Sequence, residues 1–437
     1  MDDPVKLRSH SQDNQSFQPI ETQEQLLLFC AGANGLAKKR NNMVDKAVNK
    51  VLIREFNADT DIEVVGKLER NCELESKRGV SIFTNMMCDP LCRIRFYPLH
   101  IMLVAQLLEN EELVGVVRGC IKHVGTGFGG HVIGCILGLR VSPTHRRMGI
   151  GFQLMNSVEE WLLRHGVQYT FLATERSNTA STNLFTSKCN YMNISSLVIF
   201  AQPICSSEKY MLPQNIKIEK LHVDWAISLY ENKLRGKDMF PTDMDVILKE
   251  KLSLGTWVCY FEEQGWINLD SEENNHGTIT KTHGSWVIFS IWNTCEAYKL
   301  HIQKSQPLRY FHDTLIHAKE KIFSWLKMPQ SNVSVESSFG FLFLYGIHGE
   351  GEQLGELMKS VWNFALGLGQ NAKDGKLIIT EMGLCDPLLK HVPDNPSISR
   401  IHDIWYAKSL SSHHPDEQDA LLMEGPLGNV FVDPREF

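Results

Sequence analysis

The sequence of 437 residues lacks several features that would place it in a broad class at once. No apolar run approaches the roughly 20 residues that a membrane-spanning helix needs, so we expect no membrane association. Charge of one sign is not in strong excess either, since the net charge is -7 and the pI is about 6.2. We therefore expect no direct nucleic-acid binding. The polar start, Met1-Asp2-Asp3-Pro4, does not have the apolar middle of a signal peptide.

Densely spaced cysteine pairs are missing as well. The 11 cysteines are an odd number scattered along the chain, which favours reduced thiols in the nucleus or the cytoplasm. Cys88, Cys92 and His100 can be read as metal ligands, but no second pair completes a tetrahedral set, and we expect no metal. The basic run at 38–40 has two interpretations, a nuclear address or a solvated patch.

Length and composition indicate a globular protein with more than one domain. A chain this long exceeds one compact domain, and 43% hydrophobic residues suffice to bury a core in each. Residues 1–50 are rich in Gln, Asn, Ser and Lys, so we expect a disordered extension there. The loop-like stretch 203–215 predicts a boundary between a domain at 51–205 and a second α/β domain at 206–437.

The pattern of apolar and polar residues in the first of these domains predicts a mixed α/β fold in the order β-α-β-β-β-α-β-α-β. Thr60-Asp61-Ile62-Glu63 has the form of a capping box that begins the first helix. Two apolar stretches around the polar turn 109–112 predict a hairpin, and the glycines at 125–130 lie between two strands. The remaining predicted elements are strands at 51–56, 135–141, 169–173 and 197–201, the last closing the domain, and helices starting near Gly151 and Asn178.

The second half has predicted apolar strands at 256–260, 286–292 and 341–345, and one stretch of it repeats the plan of the first half. In that stretch a strand at 341–345 leads into a glycine loop at 346–351, a helix, and a strand ending at Glu381. The first half has the same order, ending at Glu175. This repeated order of elements predicts a degenerate second copy of the first domain, with an unrelated α/β domain as the alternative. A polar insert occupies 270–276.

The segment Arg146-Arg147-Met148-Gly149-Ile150-Gly151 carries the strongest chemical signal. Pro143 stops the preceding strand, and the segment enters a helix whose first amides lack internal partners and sit at the positive end of its dipole. A pyrophosphate can accept hydrogen bonds from such amides, while the glycines keep side chains away and the arginines add positive charge. A P-loop is excluded because its Gly-Lys-Ser/Thr is missing, and Leu154 stands where a dinucleotide fingerprint needs its third glycine.

With Leu139-Arg140-Val141-Ser142-Pro143 before it, this Arg-x-x-Gly-x-Gly segment resembles the acyl-CoA signature of the GNAT acetyltransferases. The stretch from Asn178 to Leu184-Phe185 resembles the GNAT helix that packs beside the CoA arm. Further likenesses at 51–56, 252–256 and 431–437 extend the resemblance over 51–437 to the HOOKLESS-type N-acetyltransferases of plants. The resemblance implies a role in hormone-controlled growth and action in the nucleus.

The resemblance also implies a site for acetyl-CoA as cosubstrate. The residues that would form it are Leu139, Arg140, Val141, Arg146, Arg147, Met148, Gly149, Ile150, Gly151, Asn178 and Phe185. In the GNAT reaction an amine attacks the acetyl thioester directly in a ternary complex, a base takes a proton from the ammonium, and an acid protonates the thiolate. Glu175 is the candidate base, with capping or salt-bridging as its alternative role. Phe185 replaces the family's acidic tyrosine, so Tyr191 is the candidate acid, or else an aromatic of the core.

Two functions follow from this pattern. The first is an acetyl-CoA-dependent N-acetyltransferase that acts on a protein or small-molecule amine, with a role in plant growth. The second is a non-catalytic regulator that binds an acyl-CoA or uses the fold as a scaffold. The intact loop favours CoA binding, whereas Phe185 in place of the tyrosine and the uncertain base favour the second function, and Asn190 is a further altered position.

Overall fold

The computed structural model describes residues 51–74, 80–85, 89–127, 129–205, 210–266, 284–304, 337–372, 374–410 and 427–436. The predicted extension at 1–50 and the polar insert at 270–276 lie outside these residues. Residues 49–437 form one compact unit, and the proposed domain boundary near residue 205 stays a prediction. Among the described helices, none is both long and apolar enough to cross a membrane.

Strands outnumber helices in the described residues. The strands are β1 (Val51–Glu55), β2 (Val80–Asn85), β3 (His100–Leu107), β4 (Leu113–Thr126), β5 (Gly129–Val141), β6 (Tyr169–Glu175), β7 (Met192–Pro203), β8 (Ile216–Lys220), β9 (Met239–Pro241), β10 (Ser253–Phe261), β11 (Trp286–Asn293), β12 (Lys299–Lys304), β13 (Ser337–Glu350), β14 (Gly375–Gly383) and β15 (Ser399–Ser409). The helices are α1 (Ala58–Leu74), α2 (Ile150–Arg164), α3 (Thr179–Ser187), α4 (Val223–Lys233), α5 (Met244–Lys249) and α6 (Leu354–Asn371).

Most strands join one sheet in the order β1-β3-β4-β5-β6-β15-β7-β14-β13-β11-β10-β8. The two halves of the chain exchange a strand at its centre. Strand β15 from the second half pairs with β6, and β7 from the first half pairs with β14. The prediction that the strand at 197–201 closes the first domain is therefore wrong, because β15 takes the place beside β6. The sheet is mixed, as predicted, with parallel pairs only at β5–β6 and β13–β14 within the described residues.

Helices and the last segment of the chain cover both faces of this sheet. The face that packs against α2, α3 and α6 is called the front face. The other, called the back face, packs against α1, α4, α5 and the segment 427–432. Side chains that alternate along each strand supply the two cores, as the period of a strand requires.

Helix α2 lies unusually close to the strands beneath it. Its buried stripe repeats every four residues at Leu154, Val158 and Leu162, all with no exposed surface. A Cβ at Gly119 would lie 2.6 Å from Val158, and a Cβ at Gly134 would lie 2.7 Å from Leu162. Glycine is therefore required at these two strand positions, and the close packing fixes where α2 begins.

Helix α1 begins earlier than predicted. It starts at Ala58, so the capping box at 60–63 is wrong, because those residues already lie in the first turn. Asn57 takes the capping position, and its side-chain oxygen accepts the amide of Asp59 at 2.9 Å. The carboxylate of Asp61 accepts the amide of Asn57 at 2.8 Å and pairs with Arg54 at 2.7 Å, which ties the helix start to β1.

Candidate functional site

Strands β5 and β6 run parallel and then separate in the middle of the sheet. Their ladder ends at Cys135 and Phe171. Beyond it, none of the described strands lies between residues 136–141 of β5 and 172–175 of β6. Strand β5 pairs with β4 on one side of this gap, and β6 pairs with β15 on the other. The backbone of residues 136–141 and that of residues 172–175 therefore line an open wedge. This wedge is called the first cleft.

A bulge in β5 opens the first cleft. Gly138 and Leu139 together stand opposite the single residue Val117 of β4, and Gly138 has a φ of 61°. A Cβ at Gly138 would lie 2.7 Å from the guanidinium of Arg118, so the left-handed turn and the close approach both require glycine. The predicted cosubstrate residues Leu139, Arg140 and Val141 follow this bulge and are half-buried at the wall of the cleft.

The Arg146–Gly151 loop stands at the mouth of the first cleft, where it enters α2. Gly149 precedes the helix with a φ of 82°, and no side chain caps the amides of the first turn. A Cβ at Gly149 would meet nothing closer than 4.0 Å, so the space in front of these amides is open. Arg147 and Met148 are exposed beside it. The arrangement is a helix N-terminus that is free to receive an anion.

Arg146 holds this loop to its neighbours as well as supplying charge. Its guanidinium donates to the carbonyl of Val141 and to the carbonyl of Cys72 on α1, each at 3.3 Å. On the other side, a Cβ at Gly151 would lie 3.3 Å from Leu184 of α3. Loop, α1 and α3 therefore meet around the end of β5.

The structure places Asn178 and Phe185 on α3, next to the start of α2. Asn178 caps α3, because its side-chain oxygen accepts the amide of Ser181 at 3.2 Å. Phe185 is buried, with Tyr191 and Tyr406 as its ring neighbours at 6.2 and 6.1 Å. Their predicted contacts with a CoA arm stay predictions.

The two candidate catalytic side chains lie in different surroundings. Glu175 ends β6 at the mouth of the first cleft, and Ser177 donates a hydrogen bond to its carboxylate at 2.6 Å. Tyr191 is only 3% exposed, and Thr170 donates to its hydroxyl at 2.9 Å. Burial and the charge of Glu159 raise the pKa of Tyr191 well above its usual value. Tyr191 thus packs as an aromatic of the core, and the catalytic roles of both residues stay predictions.

Comparisons with known proteins decide the family. Residues 75–191 match the model of the Acetyltransferase (GNAT) family. The chain is 32% identical over 418 residues to "Probable N-acetyltransferase HLS1-like" of Arabidopsis thaliana, a match that covers 89% of this chain and 99% of the relative. "Probable N-acetyltransferase HLS1" of the same plant is 34% identical over 409 residues, covering 88% and 100%. The chain belongs to the HOOKLESS-type GNAT acetyltransferases.

The predicted family and enzyme class are thereby confirmed, and the protein is a GNAT-type acyltransferase whose cosubstrate is an acyl-CoA. A crystal structure of Saccharomyces cerevisiae N-myristoyltransferase with bound myristoyl-CoA has a TM-score of 0.50 to this chain. The two share 12% identity, and the match covers 91% of this chain and 92% of that one. The likeness shows that the shared fold extends over both halves.

Sequence reasoning missed one carboxyl group beside the first cleft. Asp403 of β15 stands directly opposite Glu175 in the antiparallel register with β6. Burial, together with the charge of Glu175, raises the pKa of Asp403 to about 7. No local motif marks this residue, because only the exchange of β15 into the centre of the sheet brings it to the site.

The second half of the chain contains the same cleft geometry. The parallel ladder of β13 and β14 ends at Phe343 and Ile379, beyond which the strands separate. Gly346, with a φ of 63°, and Ile347 stand opposite the single residue Phe289. The open wedge between the separated strands β13 and β14 is called the second cleft. The predicted glycine loop at 346–351 is wrong in its first part, because β13 runs on to Glu350 and Gly346 makes a bulge within it.

The second cleft differs from the first in its chemistry. The hydroxyl of Ser285 accepts the amide of Gln353 at 3.0 Å, so a side chain already occupies the start of α6. Glu350 and Glu352 stand where the first loop has arginines, and Glu350 pairs with Lys233 at 2.7 Å. Burial alone would raise the pKa of Glu350, but the contact with Lys233 lowers it, which keeps the carboxylate charged. Such a helix start disfavours a phosphate.

At the vertex of the second cleft lies a buried carboxyl group. Glu381 is 9% exposed, and its Oε1 has no hydrogen-bond partner within the described part of the chain. It lines a cavity of about 20 Å³ together with Tyr345, Lys237 and Val430. Burial, followed by the charges of Asp403 and Glu436, raises the pKa of Glu381 well above its usual value.

Proposed function

We propose that this protein is an acetyl-CoA-dependent N-acetyltransferase that transfers the acetyl group to an amine of a protein or a small molecule. The observation that carries the proposal is the open, uncapped start of α2 at the mouth of the first cleft. The diphosphate of acetyl-CoA would accept hydrogen bonds from the amides of residues 150–152, beside Arg146 and Arg147. The pantetheine arm would run along the backbone of residues 139–141.

The closed vertex of the first cleft supports a short acyl group. The wedge closes at the pair Cys135 and Phe171, where Ile136 and Leu172 are also buried. An acetyl group near this vertex would lie close to the bulge in β5, whose backbone amides lie beyond the end of the ladder with β6. Such amides polarise a thioester carbonyl and stabilise the negative charge that develops on its oxygen during attack.

The reaction follows as direct attack in a ternary complex. Binding both substrates in one cleft converts a reaction between two molecules into one within a complex, which supplies much of the rate. Glu175 lies at the mouth, where it would draw the cationic acceptor. Tyr191 is buried in the front core, which supports the bound amine or water, rather than this hydroxyl, as the proton source for the leaving thiolate.

The resemblance to the HOOKLESS-type proteins also supports a proposal for the protein's role in the plant. We place the protein in the regulation of plant growth, in the nucleus or the cytoplasm. The acceptor would be an amine of a partner protein in the first instance.

A specific observation favours one alternative, a regulator that binds acyl-CoA without transfer. Phe185 is buried between Tyr191 and Tyr406 and has no proton to donate. Under this alternative, cosubstrate binding is unchanged and the acceptor is never modified.

The test separates binding from transfer. Calorimetry of acetyl-CoA binding to the full chain is compared with that of Gly149→Trp, whose side chain would fill the space in front of the α2 amides. The matched control is Gly166→Trp at the other end of α2, which also has a positive φ and open space around it. We expect the first variant to lose binding and the second to keep it. Equal binding by both variants contradicts the site.

Transfer is then measured with peptides and small amines as acceptors, by following the release of free CoA thiol. Release that depends on both the acceptor and acetyl-CoA supports the enzyme. Binding of acetyl-CoA without any release supports the regulator instead.

A further inference from the structure

Strand β15 brings a carboxyl group of the second half to the rim of the first cleft. Asp403 and Glu175 face each other across β15 and β6, so both side chains stand on the back face of the sheet. Phe171 lies four residues before Glu175 on β6, so the two side chains share a face. Phe171 belongs to the back core, which supports this orientation. Two strands beyond β15, Glu381 of β14 lies on the same face, since its neighbour Ile379 belongs to that core.

The back face is open to solvent at this position. Ala173 shares the face with Glu175 and is exposed, while Glu175 and Asp403 are half-buried. The front face is closed here by α2 and α3, which pack over Leu172. A second substrate therefore reaches the first cleft from the back face, over the methyl group of Ala173 and past the two carboxyl groups.

The surroundings of Asp403 suit a group that exchanges a proton near neutral pH. Burial and the charge of Glu175 hold the pKa of Asp403 at about 7, and a general base works best when its pKa lies near the working pH. On the neighbouring strands, β6 contributes Glu175, β14 contributes Glu381, and β7 places the apolar Leu197 opposite Asp403. Among the described residues, no ion pair involves Asp403 or Glu381.

Glu381 adds a second observation that points to a cationic ligand. Its Oε1 is buried without a hydrogen-bond partner in the described residues, and the charge of Asp403 reaches it. The row Glu175, Asp403 and Glu381 thus consists of carboxyl groups and runs from a half-buried end to a buried one. A positively charged amine near Asp403 would favour the charged form of its carboxyl group.

We propose, on the basis of the acetyltransferase function above, that Asp403 is the general base and that the acceptor is a primary amine entering over Ala173. The acceptor ammonium gives one proton to the carboxylate of Asp403. The nitrogen lone pair then forms the bond to the thioester carbonyl carbon. When the C–S bond breaks, its electron pair leaves with the sulfur, and a second proton from nitrogen converts the thiolate to the thiol of CoA. Asp403 returns its proton to water, so the net products are the amide, CoA and one proton.

Glu175 has a different task in this scheme. It attracts the ammonium and, through its negative charge, keeps the pKa of Asp403 raised. It is a positioning residue, and its replacement by glutamine keeps the shape of the site but removes the charge.

The experiment is the pH dependence of kcat/KM for an amine acceptor, measured on the full chain. We expect the wild-type rate to rise through about pH 7. Asp403→Asn should lower kcat on the order of 100-fold and lose this rise, with acetyl-CoA affinity unchanged. Glu175→Gln should keep the rise but move it to lower pH. Asp394→Asn, at a fully exposed carboxylate before β15, is the matched control and should match the wild type.

Two outcomes overturn the proposal alone. One is an Asp403→Asn variant that keeps the wild-type rate and pH profile. The other is a Glu175→Gln variant that loses the rise while Asp403→Asn keeps it, since Glu175 would then be the base. A wild-type protein that transfers acetyl to no amine overturns the proposed function, and the assignment of a base along with it.

An infrared titration of the protein without substrates gives a readout independent of activity. A protonated carboxyl band that disappears as the pH rises through about 7 should be present in the wild type and in Asp394→Asn. It should be missing in Asp403→Asn. If the band persists in that variant, another group titrates there and the assignment of Asp403 is overturned.

Discussion

The first and second clefts are built alike and equipped differently. In each, a strand with a left-handed glycine, Gly138 or Gly346, has a bulge against its antiparallel neighbour, beyond the end of its parallel ladder, and a helix follows. The first helix start is open and flanked by arginines, whereas the second is occupied by Ser285 and flanked by glutamates. If the first cleft binds the cosubstrate as proposed, the charge at the helix start and the space in front of its amides separate it from the second cleft.

The centre of the sheet shows a second difference. Two positions beyond the end of its parallel ladder, β6 has Ala173 and β14 has Glu381. The small, exposed residue leaves the first cleft accessible from the back face, while the carboxyl group fills the vertex of the second. The two clefts share their backbone geometry, but within the described residues their side chains differ at matching positions.

The largest expected effect concerns the stability of the second cleft. Gly346→Ala combines a positive φ with a Cβ only 2.6 Å from the hydroxyl of the buried Tyr230. We expect a loss of about 3 kcal/mol in the free energy of unfolding, from backbone strain and overpacking together. Urea unfolding followed by circular dichroism measures it.

Gly138→Ala is the matched variant in the first cleft. Its Cβ would meet the end of the long Arg118 side chain, which can shift, so the stability loss should be smaller. This variant alone should also weaken acetyl-CoA binding. If Gly346→Ala weakens binding as strongly, the functional distinction between the clefts is wrong.

The next effect tests the charge at the two helix starts. Arg146→Glu with Arg147→Glu should weaken acetyl-CoA binding about 100-fold, because charged hydrogen-bond partners of a diphosphate are replaced by repulsive groups. Calorimetry at two salt concentrations measures the loss, which should shrink at high salt.

The reciprocal change provides the control. Glu352→Arg with Glu356→Arg adds positive charge near the start of α6, where Ser285 still occupies an amide. Its acetyl-CoA affinity and its stoichiometry of one per chain should equal those of the wild type. A second bound acetyl-CoA in this variant would show that charge alone separates the clefts.

A pH effect distinguishes the buried carboxyl group from the open one. The pKa of Glu381 is raised in the folded protein by burial, so its contribution to stability is full below the unfolded value and is lost as the pH rises towards the folded one. The free energy of unfolding should fall with rising pH by up to about 1.4 kcal/mol per unit for this one proton.

Glu381→Gln should remove most of that slope. A smaller slope should remain below about pH 7, because the pKa of Asp403 is raised in the same direction. Asp394→Asn should leave both slopes in place. An unchanged slope in Glu381→Gln would mean that the group is neutralised by a partner in solution.

Local signals account for what the sequence predicted well. The apolar runs of β3, β4 and β6, the hairpin between β3 and β4, and the start of α2 were each predicted to within a few residues. The family could be recognised from the Arg146–Gly151 loop because its residues are contiguous, while its role in acyl-CoA binding stays a prediction. The glycines of the second half were misread, since a glycine in a bulge and one in a loop look the same until φ is known, as Gly346 shows.

Long-range pairing accounts for what was missed. Nothing within β15 indicates that it lies between β6 and β7, because that register depends on contacts between distant parts of the chain. Asp403 was therefore invisible, and the candidate base was sought only near the loop. The capping box failed for a local reason, since Asn57 takes the capping role three residues before Thr60, the predicted cap.

The smallest expected effect tests the route of the acceptor over Ala173. Ala173→Trp adds a large side chain on the exposed back face, beside Glu175 and Asp403 but away from the α2 start. We expect KM for the amine acceptor to rise about fivefold, roughly 1 kcal/mol, while acetyl-CoA affinity stays unchanged. Steady-state kinetics with each substrate varied in turn measures the split.

Met211→Trp is the control for a new tryptophan at an exposed site, since Met211 is 75% exposed and distant in sequence from both clefts. It should change neither constant. A rise in KM for acetyl-CoA instead of the acceptor would place acetyl-CoA, and not the acceptor, on the back face. Ala173 and Glu381 occupy equivalent positions in the two clefts. The same result would therefore mean that Glu381 does not explain why the second cleft excludes an acceptor.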